Sequence, residues 1–287
     1  MAKFKRVVSA TLALTAAFSC VGLFSACETA HPEVQITLSF EGNDYTLDYT
    51  LYRKVAPATV EHFLTLAENG YYDGLCVHDY DDSKMYTGGY SYQDGAVNGG
   101  LIYKNYYDIV KSYIPQTVWQ DEAKTLPTYT LYGEFSNNKF SVKNDGHLLE
   151  SFGSLTMYYT EKDGCDDTIY ALRSDGKGVT PRAYEYNCAT SLFYISLTTT
   201  AKTNKDYCTF GTLDESSNDE LTNLQTAIAD YIAKNYGEAD DADEEFTSEV
   251  SVNVDEDDAF VGGTENEATY DVPNEPIVVK KVKVKKY

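Results

Sequence analysis

Apolar and polar positions alternate along much of this chain, and the alternation predicts a protein built mainly from short β-strands. Residues 34–40, VQITLSF, alternate strictly, and a Gly-Asn-Asp turn separates them from a second run at residues 45–52. A period of two is typical of strands that bury one face. Residues 277–284, IVVKKVKV, alternate again near the C-terminus. A strand pattern that returns this late in the chain favours one domain over two.

Two other stretches have the spacing of amphipathic helices. The first opens at Ala56-Pro57 and closes at Asn69-Gly70, and the second covers residues 218–236 and is followed by Gly237. Proline at the first helical position and glycine after the last turn are common helix boundaries. We expect both helices to pack on the strands through their apolar stripes, which are Val60, Phe63, Leu64 and Ala67 in the first and Leu221, Leu224, Ile228 and Ile232 in the second.

The first 26 residues have the pattern of an export signal. Lys3, Lys5 and Arg6 form a positive start, an apolar run follows, and Leu-Phe-Ser-Ala-Cys ends at Cys27 in the manner of a bacterial lipobox. We expect residues 1–26 to be removed, Cys27 to carry a lipid, and residues 27–33 to form a tether. The protein would then be extracytoplasmic and anchored to the cell membrane through its lipid. A plain secretory signal and an uncleaved membrane anchor remain alternatives.

Composition limits the possible partners. The chain has 23 basic and 45 acidic residues, a net charge of −22, so nucleic acid is excluded as a partner by repulsion between like charges. A hydrophobic fraction of 43% permits a sizeable core. Many of the 26 tyrosines are expected on strands with their hydroxyl groups hydrated. The acidic segment 238–267 has few large apolar residues and is expected to be solvated, although residues 250–254 alternate like a strand.

Four cysteines remain beyond the lipobox, and none of them has metal-ligand spacing such as Cys-x-x-Cys. Only four histidines accompany them, so we expect no metal site. Cys76 and Cys208 lie in apolar runs and are interpreted as small buried side chains. Cys165 and Cys188 bracket a polar segment, and a disulfide between them is one option outside the cytoplasm, although sequence cannot give their distance.

Residues 71–89, YYDGLCVHDYDDSKMYTGG, resemble a segment of the cyclophilin-type peptidyl-prolyl isomerases. That family has a similar Tyr-Tyr-Asp-Gly, then a histidine, then a Gly-Gly pair at the spacing of His78 and Gly88 here. Further similarity lies in Ala-Pro-x-Thr-Val with Phe-x-x-Leu at residues 56–66, in Gly-Ser-Leu-Thr-Met at 153–157, and in the runs at 191–197 and 207–211. The resemblance covers most of residues 34–284.

The resemblance implies a mainly β fold, a closed antiparallel eight-stranded β-barrel capped by two α-helices. Such a barrel leaves no free strand edge. The domain would span residues 34–287, with long insertions at about 94–130, 161–190 and 238–270. The implied activity is isomerisation of X-Pro peptide bonds, with no cofactor.

The resemblance also assigns positions to a site. Rotation about the prolyl bond faces a barrier of about 18–20 kcal/mol, which the family lowers with an apolar proline pocket and an arginine donor. Asp79 occupies the arginine position, and an ionised carboxylate only accepts hydrogen bonds. The substitute donors are Lys84, Tyr158, Tyr207, Arg173 or Arg182. The pocket candidates are Met85, Thr87 (at a family glutamine position), Tyr158, Leu192, Tyr194 and Tyr207.

Two functions therefore stay open. One is a peptidyl-prolyl cis-trans isomerase that acts on exported proteins, with activity weakened by the substitutions at Asp79 and Thr87. The other is a catalytically inactive module that binds a proline-containing peptide or a protein at the cell surface, because an aromatic groove binds such segments without twisting them.

Overall fold

The structure, a computed structural model, describes residues 30–96, 98–113, 116–138, 148–159, 168–173, 175–183, 190–237, 245–253 and 267–287. The predicted signal with Cys27, and the pair Cys165 and Cys188, lie outside these ranges. Within them, nine strands form the main sheet. Their bounds are β1 Glu33–Phe40, β2 Asn43–Leu51, β3 Leu75–Cys76, β4 Asp79–Asp81, β5 Lys84–Thr87, β10 Leu155–Met157, β13 Phe193–Ser196, β15 Cys208–Leu213 and β18 Val278–Lys286.

The main sheet is antiparallel throughout and has the order β3-β18-β1-β2-β15-β10-β13-β5-β4. The end strands β3 and β4 are separated along the chain only by Val77 and His78, so the sheet has to curl round on itself. The backbone N–H of Val77 donates to Ile277 O (2.8 Å), and that of His78 donates to Tyr86 O (3.0 Å). The described residues show no pairing between β3 and β4, so a curled open sheet is observed and the predicted closed eight-stranded barrel is not confirmed.

Three α-helices occur in the described ranges: α1 Pro57–Glu68, α2 Tyr107–Tyr113 and α3 Asn218–Asn235. The two predicted helices are confirmed as α1 and α3, and their apolar stripes are buried as expected. The first turn of α1 is held by the buried Glu134, whose carboxylate accepts the backbone N–H groups of Ala58 (3.1 Å) and Thr59 (2.8 Å). Burial is the main reason that the pKa of Glu134 is raised.

The remaining strands form small sheets beside the main one. They are β6 Tyr90–Tyr92, β7 Leu101–Tyr103, β8 Val118–Trp119, β9 Leu149–Glu150, β11 Thr168–Leu172, β12 Val179–Ala183, β14 Lys202–Thr203, β16 Thr247–Asn253 and β17 Glu267–Pro273. The strand predicted at residues 250–254 corresponds to β16. Its partner β17 was not predicted, although its alternating Ala268, Tyr270 and Val272 are all buried. The β16–β17 pair, the insertion hairpin, packs against β3 and β6 through Cys76 and Tyr90.

Several tyrosines are buried and so differ from the many that are expected to have hydrated hydroxyl groups. Tyr49, Tyr71, Tyr72, Tyr106 and Tyr194 are at most 2% exposed. Tyr71 tolerates burial because its hydroxyl donates to the backbone oxygens of Lys104 (2.6 Å) and Gly88 (3.1 Å). A buried hydroxyl that finds such acceptors loses little by leaving water. The prediction for Cys76 and Cys208 is confirmed, since both are free, buried thiols.

Candidate functional site

The motif at residues 71–89 folds as β3, β4 and β5 with a close approach at its glycine pair. Gly88 has φ +101°, and a Cβ atom there would lie 2.3 Å from the backbone oxygen of Ser191. A Cβ at Gly89 would lie 2.6 Å from the side chain of Leu192. Only glycine therefore lets the end of β5 pass against the start of β13. The similarity at this motif thus reflects backbone packing that holds the two site strands together.

Strand β5 presents its side chains to two different faces of the sheet. Lys84 and Tyr86 are half-buried on one face, whereas Met85 and Thr87 are buried on the other, as the period of two requires. Met85 belongs to the main core, and Thr87 donates its hydroxyl to Cys76 O at 2.7 Å. The structure therefore separates these two pocket candidates from the others, and it adds Tyr86, which the sequence interpretation missed.

The other candidates meet on the outer face of the sheet. Tyr194 on β13 pairs in register with Tyr86 on β5, and their ring centroids are 5.3 Å apart. Tyr158 lies 5.1 Å from Tyr86, and Tyr207 lies 6.2 Å from Tyr158. We call Tyr86, Tyr158, Tyr194 and Tyr207 the tyrosine cluster, and the buried Leu192 packs with it. Four of the six predicted pocket residues thus lie together.

A cavity of 320 Å³ opens beside the tyrosine cluster. The large side chains of Tyr158 and Tyr159 line this cavity without filling it. The ammonium group of Lys84 borders it, 4.8 Å from the ring centroid of Tyr194, within the range of a cation–π contact. Strand β17 of the insertion hairpin forms the opposite wall. The lining residues are Asp79, Lys84, Tyr86, Tyr158, Tyr159, Tyr207, Ala268, Thr269 and Tyr270.

Asp79 lies in the cavity wall and contacts the insertion hairpin. Its Oδ1 atom accepts the backbone N–H of Asp271 at 3.0 Å. Burial is the main reason that the pKa of Asp79 is raised, to about 6, and the nearby carboxylates of Asp271 and Asp81 add to the effect. The residue at the family arginine position therefore accepts a hydrogen bond from the backbone of an inserted strand.

A buried histidine connects the hairpin to the pocket. His78 Nε2 and the Tyr158 hydroxyl oxygen are 2.9 Å apart, and the ring of Tyr270 stands edge-on to His78 at 4.8 Å. Burial lowers the pKa of His78 to about 3, so its ring is neutral at physiological pH. Burial likewise raises the pKa of Tyr158. The Tyr158 ring is thereby fixed in the pocket wall by a neutral hydrogen bond.

The hydroxyl of Tyr194 is tied to a buried carboxylate on the far side of the ring. It donates to Glu150 Oε2 at 2.9 Å, and Asn204 Nδ2 donates to the same oxygen at 2.7 Å. Lys202 Nζ lies 3.3 Å from Glu150 Oε1. Glu150 is fully buried, and sequence interpretation gave no sign of this partner because it lies 44 residues from Tyr194 along the chain.

The two arginines proposed as substitute donors lie elsewhere. Arg173 follows β11 and pairs with Asp175 at 3.5 Å, and Arg182 lies on β12. Neither lines the cavity described above, whereas Lys84, Tyr158 and Tyr207 do. Among the described residues, no group of three or more His, Cys, Asp or Glu side chains is arranged to hold a metal ion. In the same ranges, no helix has the length and apolar character needed to cross a bilayer.

A curled antiparallel sheet with a tyrosine-lined cavity beside it defines this chain as a mainly β domain. The family described as "Cyclophilin type peptidyl-prolyl cis-trans isomerase/CLD" matches residues 35–252, which is more than half of the chain. The chain belongs to the cyclophilin family.

Curated relatives share part of this chain. A Staphylococcus aureus (strain USA300) protein, named provisionally as a peptidyl-prolyl cis-trans isomerase, is 33% identical over 109 residues, or 38% of this chain and 47% of the relative. A Staphylococcus haemolyticus (strain JCSC1435) protein with the same provisional name is 31% identical over 102 residues, or 36% of this chain and 44% of the relative. The matches thus span about half the length of these relatives.

Solved structures of a Cryptosporidium parvum cyclophilin-type peptidyl-prolyl cis-trans isomerase are also similar. One has 14% identity and a TM-score of 0.42, covering 90% of this chain and 99% of that protein. A second, determined in the presence of the dipeptide Ala-Pro, has 14% identity and a TM-score of 0.41, covering 89% and 99%.

Proposed function

We propose that this protein is a peptidyl-prolyl cis-trans isomerase whose proline pocket is the 320 Å³ cavity beside the tyrosine cluster. The observation that carries the proposal is an open cavity lined by tyrosines on β5, directly after β10 and directly before β15. The family resemblance assigns site residues to these same segments. The tyrosine faces supply apolar surface for a proline ring. Tyr194 is fully buried, and its ring packs behind the lining rings of Tyr158 and Tyr207.

Lys84 supplies the hydrogen-bond donor in this proposal. The reaction requires the proline nitrogen lone pair to leave amide resonance, and a donor aimed at that nitrogen favours the twisted transition state. The Lys84 ammonium has three donor hydrogens and borders the cavity above Tyr194. A point charge on a flexible stem fixes geometry less well than a guanidinium fork, so the activity is expected to be weak for the family.

The test is NMR exchange spectroscopy on the peptide Ala-Ala-Pro-Phe with the full-length protein, since uncatalysed prolyl isomerisation takes tens to hundreds of seconds. Lys84→Met should slow the catalysed exchange about 10-fold to 100-fold, the value of one hydrogen bond from a charged donor. Lys234→Met, in the last turn of α3, is the matched control and should leave the rate unchanged.

Two outcomes would contradict the proposal. Equal rates for Lys84→Met and the parent would exclude Lys84 as the donor. Exchange at the uncatalysed rate with retained peptide binding would leave a catalytically inactive binding module instead.

The client proteins in this proposal are exported proteins, and the enzyme is tethered through a lipid on Cys27. The support is the order of charged, apolar and small residues before that cysteine. Labelled palmitate fed to expressing bacteria should appear in the parent protein and be absent from Cys27→Ala. Equal labelling of both would contradict the tether, and the isomerase assay would be unaffected.

A further inference from the structure

The insertion hairpin brings one edge of β17 to the proposed pocket, and among the described residues that edge pairs with no other strand. β17 pairs with β16 on one side, and on its other side it lies beside β4 and the cavity. The edge is held there by the hydrogen bond from Asp271 N–H to Asp79 and by the packing of Tyr270 against His78 and Tyr90. Three consecutive residues of β17, Ala268, Thr269 and Tyr270, then line the cavity.

The pairing register shows which backbone groups of β17 face the pocket. In an antiparallel ladder, residues alternate between pairs that exchange hydrogen bonds and pairs that do not. Asp271 directs its N–H to Asp79, away from β16, so Asp271 and Glu249 form a pair that exchanges no backbone hydrogen bonds. Thr269, two residues earlier and paired with Ser251, has the same phase. Its backbone N–H and C=O therefore point towards β4 and the cavity.

We propose that the backbone of Thr269 binds the substrate by pairing with the extended segment that flanks the proline, and that Asp79 is the positioning residue that holds β17 in place. This inference rests on the proposed function and adds its substrate class: extended peptides whose backbone adds to a strand edge while the proline enters the tyrosine-lined cavity. Asp79, at the family arginine position, thus holds β17 beside the cavity as a second part of the binding site.

The test compares Thr269→Pro with Thr269→Val in the full-length protein. Proline removes the N–H that faces the cavity but no hydrogen bond to β16, because Thr269 is in a non-bonded pair. Valine keeps the N–H and is a good strand residue. Binding of Ala-Ala-Pro-Phe, followed by NMR titration, should be about twofold to tenfold weaker in Thr269→Pro than in Thr269→Val.

A second set of variants tests Asp79. Asp79→Ala removes the acceptor of Asp271 N–H, whereas Asp79→Asn keeps an acceptor oxygen. Peptides that are N-methylated, in turn, at each residue next to the proline lack one backbone donor. At one of these positions, the methylated peptide should bind the parent and Asp79→Asn more weakly than the unmethylated peptide does. Asp79→Ala should bind the two peptides equally.

The outcomes separate this inference from the proposed function. The parent could bind and isomerise the peptide while Thr269→Pro binds it as well as Thr269→Val does, and while each methylation affects Asp79→Ala and the parent equally. In that case the proposed strand-edge contact is wrong, and the proposed proline pocket is unaffected. Absence of any peptide binding by the parent overturns both.

Discussion

The bond between Tyr194 and Glu150 offers a quantitative test of the site. Glu150 is fully buried and accepts hydrogen bonds from Tyr194 (2.9 Å) and Asn204 (2.7 Å). Hydrogen bonds to a charged group contribute about 1.5–3 kcal/mol each, and a buried donor left without a partner adds a desolvation cost. We expect Glu150→Ala to lower the free energy of unfolding by about 2–4 kcal/mol and Tyr194→Phe by about 1–2 kcal/mol.

The double variant distinguishes this bond from general packing. Once Tyr194→Phe has removed the hydroxyl, Glu150→Ala has one partner fewer to leave unsatisfied. The losses of unfolding free energy in the two single variants should therefore sum to about 1 kcal/mol or more above the loss in the double variant. A difference of this size is found for residues in direct contact. Urea unfolding at a fixed pH, followed by circular dichroism, supplies the four free energies.

The same variants make a functional prediction. Release of Tyr194 from Glu150 lets the ring that packs behind the cavity-lining tyrosines reorient. Glu150→Ala should therefore weaken binding of Ala-Ala-Pro-Phe, whereas Lys202→Met should leave binding unchanged. Lys202 is half-exposed and contacts Glu150 Oε1, whereas Tyr194 donates to Oε2. Single effects that add within about 0.5 kcal/mol would refute the reasoning, because independent sites behave in that way.

Three further predictions concern stability. Glu134→Ala leaves the first amides of α1 without their acceptor and should cost about 2–4 kcal/mol in urea unfolding, with Glu134→Gln costing less. Asp79 has a pKa raised to about 6 in the folded state, so its ionised form opposes folding. Asp79→Asn should therefore be more stable than the parent above about pH 6, by at most about 3 kcal/mol, and the difference should vanish below about pH 4 in a pH series of unfolding. Gly88→Ala should cost more than Gly176→Ala in the same assay, because both have positive φ but only Gly88 meets backbone atoms.

Local sequence patterns were sufficient to predict the strands and helices in which the spacing of apolar residues matches the buried face. The alternation at residues 34–40 and 277–284 corresponds to β1 and β18, which pair with each other. Both helix stripes are buried, and the cysteine interpretation is confirmed for Cys76 and Cys208. These predictions succeeded because the period of side-chain exposure along one element follows from backbone geometry alone.

The pocket was only partly predictable. Tyr158, Leu192, Tyr194 and Tyr207 come together as expected, but Met85 and Thr87 face the core. The alternation along β5 was itself a usable signal, since it places Tyr86 and Lys84 on the same face. The assignment of Met85 and Thr87 followed the family resemblance, whereas the period of two along β5 predicts the faces observed.

Other features depend on contacts between distant parts of the chain. Asp79 meets Asp271 across 192 residues, and Tyr194 meets Glu150 across 44. No local pattern encodes such pairs, because each depends on how separate strands are brought side by side. The sequence by itself determined a mainly β protein of the cyclophilin family with an altered donor position. Tertiary structure decided which tyrosines line the cavity and that an inserted strand forms its wall, because those depend on the packing of the whole sheet.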